Sequence, residues 1–251
     1  MRPDYDPLDD PPWAMQLVVR AEKADPPGHG AVCEAAAMAV ARLLTDPRAT
    51  GPEPEAPQAA EPVETAGPAE PAEGEPDGER PGQWRAAIRE WEARRIRKVT
   101  RRARGVRWPE AQAFPGVTVE HDGAEVRAFV PGPVADVPPQ LAKLQVAGLD
   151  LADDAPAGPP PEPPYAALAL NPEVTITTGK AAAQCGHAAQ LLLREASRPD
   201  LDAWIEGGLR VHLVRDVPWR RCVEHATIAV RDGGFTEVPP GTMTAIAWVV
   251  R

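Results

Sequence analysis

Residues 166–195 read AALALNPEVTITTGKAAAQCGHAAQLLLRE, and this stretch decides the fold class. Its first five residues, 166–170, are uniformly apolar and too short for a buried helix, so they read as a strand. Asn171-Pro172 breaks the run, because proline fixes φ and removes a backbone donor. Residues 179–195 then carry helix-forming, alanine-rich sequence with no internal proline. Further along, a short helix at 201–205, a strand at 209–214, a short helix near 219–223 and strands at 227–230 and 242–250 complete the pattern. Strands alternating with helices predict an α/β layered domain over residues 165–251.

The helix of this unit carries an unusual stripe. Lys180, Gln184 and His187 are spaced i, i+4 and i+7 and share one face, whereas Ala181, Ala182, Cys185 and Gly186 are small enough to pack closely elsewhere. A solvated polar face explains such a stripe in an arbitrary helix. The Gly179-Lys180 pair is no phosphate loop, since the first glycine and the hydroxyl residue after lysine are missing. A second motif is Asp232-Gly233-Gly234-Phe235-Thr236, delivered by the apolar strand at 227–230 and followed by Gly241, Thr242 and Thr244. Glycines after the aspartate permit positive φ and close backbone approach. An ordinary Asp-Gly turn is the plain alternative.

Together the two motifs resemble those of the type 2 peptidyl-tRNA hydrolases. The matching residues are Gly179, Lys180, Ala182, Ala183, Gln184, His187 and Ala188, then Asp232, Gly234, Thr236, Gly241, Thr242 and Thr244. The resemblance implies a mixed β-sheet with helices on both faces, no metal or cofactor, and hydrolysis of the ester joining a peptide, or an N-blocked amino acid, to the 3′ ribose of tRNA. It implies catalytic roles for Lys180 and Asp232, with Gln184, His187 and Thr236 beside them, and places Gly233, Gly234 and Thr242 at the substrate. Ester hydrolysis needs a proton acceptor for the attacking water, which Asp232 supplies directly or through His187. It also needs a donor for the developing oxyanion, which Lys180 or a backbone amide of the Asp-Gly-Gly turn supplies. Which group takes the proton stays open. The family's Arg-x-Asp-Leu element after the first strand is replaced here by Leu170-Asn171-Pro172-Glu173.

Upstream sequence divides at two breaks. Thirty-two prolines cannot all sit in a packed core. Residues 47–82 hold almost no large apolar side chain and read as a disordered acidic linker; residues 151–164 are a second, proline-rich linker. The ordered blocks are then 12–46 and 83–150, which parallel the third block as a diverged copy. A strand at 15–19 and an alanine-rich helix at 31–44 mirror 166–195, and residues 126–139 align without gaps on 227–240, placing Pro131 where Asp232 stands. The copy lacks the Lys, Gln and His stripe near Gly28-His29-Gly30. Two pseudo-repeats would form an intrachain pseudo-dimer, the chain being a monomer of that kind or a homodimer.

Net charge is −10 but strongly segregated. Residues 46–80 carry ten acidic and two basic side chains; residues 85–107 carry ten basic and two acidic. Residues 83–103 read as a basic helix whose Arg94, Arg95, Arg97, Lys98, Arg101, Arg102 and Arg104 face tRNA phosphates, followed by strands at 117–120 and 126–130 and an extended segment at 141–146. A solvated face paired with the acidic linker is the alternative. Basic residues are almost all arginine, the lysines being Lys23, Lys98, Lys143 and Lys180, so each lysine merits inspection. Three scattered cysteines exclude a disulfide framework or zinc knuckle. The acidic amino terminus lacks the plan of a secretory signal, and no apolar run approaches the roughly 18 residues of a membrane span, so a cytoplasmic protein is expected. A non-catalytic descendant that binds tRNA or a protein, and a hydrolase of another acyl ester, are the competing readings.

Overall fold

The runs at 15–19, apolar but for Gln16, and at 166–170 each become a strand buried on both faces, and each organises a sheet. The structure, a computed structural model, describes residues 11–52, 80–94, 96–152, 158–233 and 237–251. The N-terminal half runs β1 (Trp13–Arg20), α1 (His29–Thr45), α2 (Pro47–Thr50), α3 (Arg85–Glu92), β2 (Lys98–Ala103), α4 (Arg107–Gln112), β3 (Gly116–His121), β4 (Ala124–Phe129), β5 (Gly132–Pro133) and α5 (Pro139–Ala142). The C-terminal half runs β6 (Tyr165–Leu170), α6 (Thr178–Glu195), α7 (Arg198–Glu206), β7 (Val211–Leu213), α8 (Trp219–His225), β8 (Ile228–Arg231) and β9 (Met243–Val250).

Both sheets are mixed, and they repeat one another in order and sense. The first runs β2-β1-β4-β3, with β5 paired to the end of β1; the second runs β7-β6-β9-β8. β1 is parallel to β2 and antiparallel to β4, as β6 is parallel to β7 and antiparallel to β9. A local detail recurs as well. Trp91 donates its indole N–H to the carbonyl of Arg97, just before β2, and Trp204 does the same to Arg210, just before β7. Both indoles are fully buried, where an unbonded N–H would be costly.

Helices α1 and α6 lie between the sheets. α1 packs on β3 and β4 of its own sheet and reaches β7; α6 packs on β6, β8 and β9 and reaches β2. Their mutual contact is the most extensive helix–helix contact among the described residues. Small side chains permit it: Ala181, Ala182, Cys185, Ala188 and Ala189 meet Cys33, Ala36 and Val40 in one continuous core. At Gly186 a methyl group would lie 3.1 Å from Val40 Cγ2 and 3.2 Å from Lys98 Cδ. The outer faces are covered by α4 and α5, through Trp108, Ala111 and Leu141, and by α8, through Cys222.

Three sequence expectations are corrected. The basic helix over 83–103 is shorter: α3 stops at Glu92, and Lys98–Ala103 is strand. Ile96, Val99 and Thr100 are β-branched, and β1 offers a parallel partner from Met15 opposite Lys98 to Arg20 opposite Ala103; this pairing overrides helix propensity. Extended chain at 141–146 is instead entered from α5, with a bridge from Gln145 to Arg102. The margins of the acidic linker are ordered as well. α2 begins at Pro47, Trp84 donates its amide to the Arg48 carbonyl, and the Arg48 guanidinium stacks 3.9 Å from the Trp84 ring. Residues 53–79 of that linker and 153–157 of the second lie outside the described residues.

The gapless alignment of 126–139 on 227–240 also fails by sheet position. β4 occupies the place of β9, not of β8. Val119 pairs with Val126 as Val230 pairs with Ala245. The residue two beyond Val230 is Asp232, and the residue two beyond Val119 is His121. His121, not Pro131, therefore stands where Asp232 does.

Candidate active site

The first turn of α6 is held firmly. Thr177 caps it, accepting from the Lys180 amide, and the Glu237 carboxylate accepts both the Thr177 amide and its hydroxyl at 2.8 Å. The Gly179 amide donates to the Leu149 carbonyl, and the Thr178 hydroxyl accepts the Leu151 amide and touches His29 Nδ1. These contacts fix the start of the helix and therefore the root of the Lys180 side chain.

β8 delivers the partner. Asp232 leaves its end with its amide bonded to the Thr242 carbonyl and its own carbonyl bonded by the Gly241 amide. Gly241 sits at φ +82, where glycine carries no steric cost. Asp232 Oδ2 lies 2.5 Å from Lys180 Nζ and accepts Gln184 Nε2 at 2.7 Å. Gln184 Oε1 in turn accepts the Thr244 hydroxyl at 2.8 Å. The Asp232 side chain is 4% exposed and that of Lys180 15%, so the carboxylate is nearly dry while the ammonium still reaches solvent. A buried carboxylate needs such compensation.

Of the residues expected at the site, Lys180, Gln184 and Asp232 thus converge. His187 lies further along the same helix face, with its Nδ1 3.2 Å from Lys98 Nζ, on β2 of the other half. Burial, then the charges of Lys98 and Lys180, push the imidazole well below its ordinary pKa. Burial likewise pushes Lys98 well down, opposed by the charge of Glu92. A relay from Asp232 through His187 is therefore not formed here, because the hydrogen-bond partner of His187 among the described residues is Lys98. Gly233 is exposed beside Asp232, and the Thr242 hydroxyl donates to the Pro239 carbonyl. Thr236, Gly234 and Arg95 lie outside the described residues.

The basic residues do not form one solvated face. Lys98 is buried. Arg101 donates to Gln16 and to the carbonyls of Ala142 and Leu144; Arg102 donates to Gln145 and the Gly148 carbonyl; Arg94 pairs with Glu90. Two further residues join the site: Thr244, matched in the motif but without an expected role, orients Gln184, and Glu237 braces the helix start. Thr244 stands in the second motif; nothing local in the sequence marks Glu237. Asn171, in the altered segment after β6, bonds the Met243 carbonyl through its side chain and the Thr244 carbonyl through its amide, so it braces the strand beside the site. Among the described residues, the side chains spaced to share a cation are Glu34 on α1, His121 at the end of β3 and Asp122 in the turn after it, away from Lys180. Glu34 is already satisfied there by the Leu213 amide at 2.6 Å and by His121 Nε2 at 2.7 Å.

A buried carboxylate can accept a proton from water, and the ammonium bonded to it can stabilise an oxyanion nearby. No protein-family profile matches the chain. A peptidyl-tRNA hydrolase of Pyrobaculum aerophilum is 37% identical over 93 residues, an alignment that spans 32% of this chain and 78% of that protein. With that coverage of the relative, and with the motif residues Lys180, Gln184 and Asp232 in contact, the chain belongs to the peptidyl-tRNA hydrolase family.

Proposed function

We propose that this protein hydrolyses the ester between a peptide, or an N-blocked amino acid, and the 3′ ribose of tRNA, recycling tRNA from prematurely released peptidyl-tRNA in the cytoplasm. The observation that carries the reading is the Lys180–Asp232–Gln184 contact at the meeting of α6 and β8. Water adds to the ester carbonyl carbon as Asp232 accepts its proton, and Lys180 stabilises the oxyanion. The carbon–oxygen bond to the ribose then breaks as the ribose oxygen takes the proton back from Asp232, releasing the carboxylic acid and the tRNA hydroxyl and restoring the carboxylate. Gly233, Gly234 and Thr242 are assigned to the acyl group, and Thr236 to the neighbourhood of Lys180 and Asp232. No helix among the described residues is long and apolar enough to cross a membrane.

The two halves are read as diverged copies that form an intrachain pseudo-dimer with one active site. Matching strand order and the paired Trp91 and Trp204 contacts support this. In the first half His121 and Glu34 replace the ion pair. Contact with tRNA phosphates falls to the arginines of the region, Arg94, Arg101 and Arg102 among them; Lys98 is withdrawn from that role by its burial.

The alternative is a non-catalytic tRNA- or protein-binding descendant, favoured by Asn171 and Glu173 standing in the family's Arg-x-Asp-Leu segment. Purified protein offered N-acetyl-aminoacyl-tRNA, unblocked aminoacyl-tRNA and a small amino-acid ester separates the readings. Cleavage of the first substrate well above the others supports the proposal. Equal cleavage of the small ester points to a different acyl substrate, and tRNA binding without turnover to the binding module.

A further inference from the structure

Lysine is rare in this chain, and two of its four lysines flank one imidazole. Lys180 lies on the same face of α6 as His187, and Lys98 reaches His187 from β2 of the other half. Lys98 Nζ is 3.2 Å from His187 Nδ1, donates to Gln190 Oε1 at 2.5 Å and sits 4.8 Å from the centre of the Trp91 ring. Gln190 is held in turn by Glu92, to which its amide nitrogen donates at 3.0 Å. The absence of a side chain at Gly186 makes the reach possible, since a methyl there would lie 3.2 Å from Lys98 Cδ and 3.6 Å from Cε.

We propose that Lys98 is a positioning residue for His187, so that the N-terminal half completes the hydrolase site of the C-terminal half; the inference rests on the reading of Lys180 and Asp232 as that site. An ammonium has only donors. Its contact with Nδ1 places the imidazole proton on Nε2 and leaves that edge, which has no partner among the described residues, as a fixed donor. His187 keeps a partly exposed edge while Lys98 is buried. Burial and the two lysines disfavour the imidazolium. Among the described residues, the charges that act on the ring are those of Lys98 from β2 and Lys180 from α6; Glu92 from α3 acts on Lys98 and Asp232 after β8 pairs with Lys180. His187 accordingly acts as a neutral donor to the attacking water or the ester oxygen, and proton acceptance stays with Asp232. Joining two halves through a buried lysine is costly compared with an apolar contact of equal size, so packing alone does not account for the residue.

The test uses the full chain as wild type, Lys98→Met, Lys98→Arg, His187→Gln and the His187→Gln/Lys98→Met double variant. Hydrolysis of N-acetyl-aminoacyl-tRNA is followed from pH 5.5 to 9, and the His187 imidazole is titrated by NMR in the single Lys98 variants. Lys98→Met lowers kcat roughly ten-fold or more, a typical effect of losing a positioned donor, with KM little changed; Lys98→Arg recovers part of it. The His187 titration moves upward in Lys98→Met, and Lys98→Met adds little on the His187→Gln background. An unchanged kcat in Lys98→Met and Lys98→Arg, or losses that simply multiply in the double variant, overturns the positioning role. If Lys98→Met does not fold, Lys98→Arg decides: a lowered kcat with a shifted imidazole titration supports the role, whereas wild-type kcat, or a fall that persists undiminished on a His187→Gln background, overturns it. Absence of turnover in the wild type is a different failure: it removes the hydrolase reading and this inference with it.

Discussion

Replacing Asp232 by Asn separates the charge of the site from its shape. The Asn side-chain oxygen can take the place of Oδ2 and accept from both Lys180 and Gln184, so the contacts survive while the negative charge is lost. Hydrogen bonds to a charged partner contribute about 1.5–3 kcal/mol and neutral ones about 0.5–1.5. Two such bonds, each weakened by roughly 1 kcal/mol, cost about 2 kcal/mol in all. The larger penalty of about 3–5 kcal/mol for an orphaned buried charge does not apply, because the Lys180 side chain keeps 15% of its surface in solvent. For a chain of this size 1 kcal/mol moves Tm by about 2–4 °C, so a drop of about 4–8 °C is expected. Activity falls much further, by about 10² or more, since the proton acceptor is gone. The assay pairs thermal unfolding with hydrolysis of N-acetyl-aminoacyl-tRNA by the same preparation. A folded Asp232→Asn protein with wild-type kcat/KM refutes the assignment of Asp232.

Other perturbations test the frame around the site. Gly186→Leu forces a side chain against Val40 and Lys98 and is expected to destabilise by about 1–3 kcal/mol or more through overpacking, and to impair turnover; unchanged Tm and rate contradict the packing of α6 against α1 and β2. The hydrogen bond to Glu34 raises the His121 pKa above its ordinary value despite burial, so its stabilisation is full below the unfolded value of about 6.5 and is lost as pH rises through the folded value. His121→Gln should therefore cost more Tm at pH 6 than at pH 8.5, and equal losses at both refute the coupling. His187 and His212 are shifted the opposite way, first by burial; their contributions are present above about pH 6.5 and are lost as pH falls. A His187→Gln variant should accordingly lose less stability than the wild type between pH 6.5 and 5, as followed by urea unfolding.

The C-terminal half was legible because its signals are local. The apolar run at 166–170, the alanine-rich helix and the two polar motifs each announce themselves within a few residues, and β6, α6, β8 and β9 follow the expected boundaries closely. What escaped depends on partners far along the chain. Residues 98–103 carry helix-compatible arginines, yet they pair with β1 some eighty residues earlier. Lys98 read as a phosphate contact because its neighbours are basic, whereas the strand alternates and turns it inward; its rarity was the available clue. His121 as the counterpart of Asp232 emerges only from register, since tight turn and long loop make the two hairpins different in sequence length. The tryptophan contacts at Trp91 and Trp204, each six residues before the bonded carbonyl, were a readable sign of the shared plan. The gapless match of 126–139 to 227–240 rests on Ala128, Gly132 and Val137-Pro138-Pro139, and most of these lie outside the paired strands.

The measurement that tests the central claim most directly is the rate of release of N-acetylated amino acid from tRNA by the wild-type chain and by Lys180→Ala, with circular dichroism to verify that both are folded. Catalytic release by the wild type and its loss in the variant is the expected result. Equal release by both, or none by the folded wild type, contradicts the account.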